Sequence, residues 1–118
     1  METYYAVIFT SQRTEKDGAG YAEMAEAMDS LAQKQPGFIR VESVRDVEGK
    51  GMTVSYWETL EAIQAWKENA KHLVAQQFGK ENWYMQYHVE ICQVMKEYSF
   101  TKWMKPFIKG APIWLRLF

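Results

Sequence analysis

Residues 51–66, GMTVSYWETLEAIQAW, change their repeat halfway along. Met52, Val54 and Tyr56 recur at every second position, the spacing that puts alternate side chains of a strand on one face. From Leu60 onward the apolar residues are Leu60, Ile63, Trp66 and Ala70. Their separations of three and four place them on one face of a helix. Thr59 stands at the junction, where a hydroxyl can accept from the first free backbone N–H groups of the helix. The stretch predicts a strand running straight into a helix.

The flanking sequence extends this unit in both directions. Upstream, Val47–Lys50 contains Glu48-Gly49, a plausible hairpin turn. It is preceded by a strand over Phe38–Asp46, with Ile39 and Val41 predicted on one side and Phe38 and Val44 on the other. Pro36-Gly37 stops an earlier helix whose face is Tyr21, Met24, Ala25, Met28, Leu31 and Ala32. Residues 12–19, QRTEKDGA, read as a loop, and residues 4–11, YYAVIFTS, as a first strand. Downstream, His72–Phe78 reads as a short helix closed by Gly79, and Met85–Val94 as a last strand. The order β-α-β-β-α-β predicts an α+β, ferredoxin-like domain, a four-stranded antiparallel sheet with both helices on one face.

Such a sheet needs a polar second face if the chain stands alone. The first strand has Tyr5, Val7 and Phe9 on one side and Tyr4, Ala6 and Ile8 on the other. The last strand has Tyr87, Val89 and Ile91 on one side and Cys92 and Val94 on the other. Two apolar faces need two covers, and a second copy packed sheet to sheet about a two-fold axis supplies the missing one. A homodimer is therefore expected, with cover by the chain's own C-terminus as the alternative.

The chain's 118 residues suit one domain, here residues 1–98, followed by a C-terminal extension, residues 99–118. That extension holds Lys102, Lys105, Lys109 and Arg116 and no acid among many large apolar residues, and Pro106, Gly110 and Pro112 interrupt any long helix. Packing on the dimer, capping a pocket and touching a membrane surface are the roles open to it. A net charge of −1 suggests no nucleic-acid partner. The lone Cys92 forms no internal disulfide, which fits a reducing compartment, and no apolar run approaches the roughly 18–20 residues that span a bilayer. A cytoplasmic protein is expected. Two histidines and one cysteine offer no spaced metal site, and phosphate-binding and nucleophile-elbow motifs are missing.

The run Tyr56-Trp57-Glu58-Thr59-Leu60-Glu61-Ala62-Ile63-Gln64-Ala65-Trp66-Lys67, followed by His72, Gly79 and Trp83-Tyr84, resembles a subgroup of the antibiotic biosynthesis monooxygenase family, as do the opening strand and the Pro36-Gly37-Phe38 turn. The resemblance covers residues 4 to about 98 and implies a dimeric α/β barrel. It implies oxygenation of a small, flat, oxidisable molecule, aromatic or quinol-like, without flavin or a dedicated metal, the substrate itself supplying the electrons. A non-catalytic binding or sensing dimer is the alternative, and haem binding or degradation a third. Haem-degrading relatives use an Asn on the first strand, a Trp on the second helix and a His after it. Trp66 and His72 resemble the last two, and Tyr4–Ser11 contains no Asn.

His72 is the candidate catalytic residue, a general base toward a phenol or hydroquinone, a haem ligand, or simply a helix-end histidine bonded to backbone. Trp66, Trp83, Tyr84 and Asn82 are candidate substrate-binding residues, with Tyr84 a hydroxyl donor and Trp66 an indole wall. Phe9, Tyr56 and Phe78 are further candidate wall residues. Each of these aromatics is equally at home in a core. His88 reads as an interface or surface residue and Cys92 as a small buried hydrophobe.

Overall fold

A computed structural model describes residues 3–73 and 83–102. Asn82, Phe78, Gly79, the greater part of the predicted short helix and residues 103–118 of the extension lie outside the described residues. The elements are β1 (Tyr4–Arg13), α1 (Gly18–Gln33), β2 (Phe38–Arg45), β3 (Lys50–Trp57), α2 (Leu60–Leu73) and β4 (Tyr84–Val94). The sheet runs β2-β3-β1-β4 with every neighbouring pair antiparallel. This is the predicted ferredoxin-like α+β arrangement.

The core lies where the helices meet β1 and β3. Val7, Ala32, Trp57 and Ile63 form it, with Tyr5, Phe38, Ala62 and Trp66 packed around them. Trp57 is fully buried; its indole N–H donates to Ser55 Oγ at 2.9 Å, so burial leaves no polar atom of the ring without a partner. Thr59 Oγ1 accepts from Ala62 N at 3.0 Å, the cap expected for α2. Leu60, predicted on the inner face, is 49% exposed, because the first residue of α2 precedes the turns that lie on the sheet.

The predicted loop over 12–19 is shorter than expected. β1 continues through Arg13 because Gln12 still pairs with Lys50, and α1 begins at Gly18. Asp17 caps α1 from a left-handed backbone, φ +50°, where its Oδ1 accepts from Gly20 N at 3.0 Å and its Oδ2 accepts from the Trp83 indole at 3.3 Å. Asp17→Ala loses both acceptors and keeps the unfavourable φ, so a loss of about 1–2 kcal/mol is expected in chemical denaturation. Asp17→Asn, which keeps an acceptor oxygen and tolerates the same backbone, is expected to recover most of it.

Two β-bulges change which side chains share a face. On β2 the pairing shifts between Phe38 and Arg40, so Phe38 and Val41 both face the helices, opposite Trp57 and Ser55. Simple alternation had placed those two residues on opposite sides, and had placed Phe38 with Val44, which here turns outward opposite Met52. On β4 the shift falls where Gln12 pairs with Gln86 and Arg13 with Tyr84, leaving Met85 as the extra residue. Tyr84 thereby joins Tyr87 on the helix-facing side.

Candidate functional site

Both helices lie toward the β2, β3 and β1 side of the sheet, and among the described residues no helix covers the same side of β4 beyond Tyr84. Tyr87, Val89 and Ile91 on that side are 65%, 45% and 53% exposed, although their register partners Ser11, Phe9 and Val7 belong to the covered strand. At the end where β1 leaves the sheet this open strip meets a group of aromatic rings. Phe9 stacks on Tyr87, centroids 5.5 Å apart and planes 22° from parallel, and meets Tyr84 edge-on at 5.6 Å. Tyr21 of α1 meets Tyr84 at 5.7 Å and Trp83 at 6.2 Å, both edge-on. The bulge at Met85 makes this group possible, because two residues an odd number apart on a regular strand would face opposite ways.

The polar atoms of the group are connected. Tyr84 Oη donates to Tyr21 Oη at 3.4 Å, and Arg45 Nη2 donates to Tyr21 Oη at 3.0 Å and to the buried Ser11 Oγ at 3.1 Å. Arg45 belongs to β2 and reaches Ser11 on β1 by crossing β3 over Gly51. A Cβ at Gly51 would sit 2.5 Å from the guanidinium carbon, so only glycine leaves this passage open. The Arg13 guanidinium lies over the Tyr21 ring at 3.8 Å and donates to Lys16 O at 2.9 Å. Burial, and then the hydrogen bond and proximity to Tyr21, push the Tyr84 phenol well above its ordinary pKa against the opposing pull of Arg45 and Arg13. It is a neutral hydroxyl at physiological pH.

The sequence-predicted residues divide among three places. Phe9, Trp83 and Tyr84 come together in the aromatic group, with Trp83 buried. Trp66 lies in the adjoining core, its ring 5.5 Å from Trp57, and its indole N–H is buried without a hydrogen-bond partner. Tyr56 faces the other side of the sheet, against Tyr4 at 6.2 Å and under the Arg40 guanidinium at 3.8 Å. His72 is exposed in the last turn of α2. Three residues before it, Asn69 Nδ2 donates to Gln35 Oε1 at 3.0 Å, which ties this part of α2 to the C-terminal end of α1.

Ser11, Asp17, Tyr21, Arg13, Arg45 and Tyr87 had drawn no attention as site residues. An Asp just before a helix is a readable cap signal. An arginine opposite a glycine across a hairpin would have been a signal for the Arg45 crossing. On the far face His88 is exposed, with its Nε2 4.0 Å from Glu90 Oε2, and Cys92 is half-buried. Among the described residues no group of three metal-ligating side chains occurs, and no helix is long and apolar enough to cross a membrane.

Comparison with known proteins adds the lineage. The uncharacterized protein YqjZ of Bacillus subtilis is 47% identical over 99 residues, which are 84% of this chain and 86% of that protein. The haem-degrader MhuD of Mycobacterium tuberculosis, solved with two haems bound in its active site, superposes with a TM-score of 0.61 at 18% identity, over 80% of this chain and 99% of that one. SnoaB, a cofactor-independent oxygenase from Streptomyces nogalater, superposes with a TM-score of 0.58 at 12% identity, over 86% and 100%. These two structures share the fold. The profile of the antibiotic biosynthesis monooxygenase family matches residues 3–77, and with the βαββαβ sheet and the close relative in Bacillus it establishes that the chain belongs to that family.

Proposed function

We propose that the protein is a cofactor-independent monooxygenase for a small, flat, oxidisable molecule of aromatic or quinol type. The observation that carries this reading is the open helix-facing side of β4, where the stacked Phe9–Tyr87 pair and the edge of Tyr84 adjoin exposed Val89 and Ile91. A planar ring laid there gains apolar contact on one face and a neutral hydroxyl donor at one end. The unpartnered Trp66 N–H in the adjoining core is a second donor, and Trp83 holds the corner between Tyr21 and Asp17. His72 takes the substrate proton, which leaves an electron-rich anion able to reduce O2. For a methylene substrate such as an anthrone the balance closes: two C–H bonds break, one oxygen atom becomes the new carbonyl, and the other leaves with both hydrogens as water.

Oxygen uptake by the purified protein against quinols, anthrones, and haemin with a reductant tests the proposal. Uptake with a quinol or anthrone supports it. Uptake with haemin alone transfers the site to haem, for which β1 lacks the first-strand Asn of haem-degrading relatives. Ligand binding without any uptake leaves a binding or sensing protein.

The same reading includes a homodimer. The far face of the sheet exposes Val44 and Met52 beside a groove of about 590 Å³ lined also by Thr10, Gln12, Gln86 and His88. A second sheet packed there would cover both apolar residues. Light scattering is expected to give twice the 13.9 kDa chain mass, and the single-chain mass would remove the dimer.

A further inference from the structure

Arg13 and Arg45 approach one tyrosine ring from two strands, their guanidinium carbons 3.8 Å and 5.4 Å from the centroid of Tyr21. Among the described residues neither has a carboxylate within ion-pair distance. The nearest acid in the group, Asp17, is occupied by Gly20 N and the Trp83 indole. Arg45 spends its donors on the Gly49 carbonyl, Ser11 and Tyr21, all neutral acceptors. The Arg13 guanidinium makes one hydrogen bond among the described residues, to Lys16 O, and its Nε–H is buried with no partner. Two positive charges beside one ring, bonded only to neutral groups among the described residues, favour an anion nearby. The strip of Phe9, Tyr87 and Val89 leads directly to them, since Ser11, which Arg45 holds, pairs with Tyr87.

We infer that Arg13 and Arg45 form the anion-recognising end of this site, and that its ligand is a flat aromatic molecule bearing a carboxylate. The inference rests on the reading of the β4 face as the ligand surface and adds the charge that the ligand carries. Arg13 presents spare N–H groups to a planar carboxylate, Arg45, whose donors are already shared among neutral acceptors, adds its charge beside it, and the neutral Tyr84 hydroxyl can turn its proton to the ligand without adding charge. The ring of the ligand then lies over Tyr87 and Val89, with its oxidisable edge directed away from the arginines.

The test is calorimetric titration of the full chain with 2-naphthoate and with 2-naphthalenemethanol, its neutral counterpart of nearly the same shape. The carboxylate is expected to bind about tenfold tighter or more. Arg45→Met is expected to abolish that preference, with Arg45→Lys retaining part of it. Arg13→Met serves as a second variant should the first fail to fold, since Arg13 crosses no strand. Equal affinity for the two probes overturns the carboxylate end while leaving the aromatic surface standing. A preference that survives in both methionine variants also overturns it. Failure of both probes to bind overturns it together with the β4 ligand surface.

Discussion

Trp57→Ala is expected to cost about 3–5 kcal/mol, the range for removing a fully buried tryptophan. Its ring meets Phe38 edge-on at 5.4 Å and Trp66 at 5.5 Å, so the cavity opens between β2, β3 and α2 at once. None of these neighbours can collapse into it alone. The Ser55 hydroxyl, buried with it, loses its donor. For a domain of this size the loss lowers Tm by about 15 °C. Trp57→Phe keeps the ring contacts and loses the hydrogen bond and part of the volume, so about 1–2 kcal/mol is expected. Urea unfolding followed by circular dichroism reads both, and a cost below about 1 kcal/mol for Trp57→Ala would show that the core is not centred on this residue.

His72→Ala should behave in the opposite way. The side chain is exposed on the last turn of α2, so its removal is expected to change stability by no more than about 0.5 kcal/mol. If it takes the substrate proton, turnover falls by about 100-fold or more, the usual contribution of a positioned base. The separation of the two effects makes the result readable: a variant that melts with the wild type and consumes oxygen 100-fold more slowly has lost chemistry alone. The measurement is initial oxygen uptake on whichever quinol or anthrone supports it, with the melting temperature of the same sample. Turnover unchanged within twofold would take His72 out of the mechanism.

The order of elements was legible because period two and period 3.6 are separate patterns, and the chain passes from one to the other within the few residues around Thr59. The bulges were not legible. Alternation counts only odd and even, and one extra residue at Met85 reverses the count for everything before it without any mark in composition. Of the site, Trp83 and Tyr84 could be found as aromatics at the start of a strand, and Phe9 as an aromatic within one. Arg45 could not, because its role depends on Gly51 standing beside it on the neighbouring strand and Ser11 one strand further, a relation that only strand pairing creates. Tyr56 shows the converse: its aromatic character suggested a pocket wall, and strand parity turned it to the far face.

The extra residue in β4 divides that strand into two segments that keep different phase. Residues from Gln86 onward are locked to β1 by pairing that begins at Gln12, while Tyr84 and Trp83 are timed from Arg13 and Thr14. Straightening the bulge, so that Met85 rather than Tyr84 stood opposite Arg13, would therefore turn the Tyr84 hydroxyl away from Tyr21 without disturbing Val89 or Ile91. The aromatic corner around Tyr84 and the strip of Val89 and Ile91 are thus separable units of inheritance. A lineage can exchange one for another chemistry and keep the other.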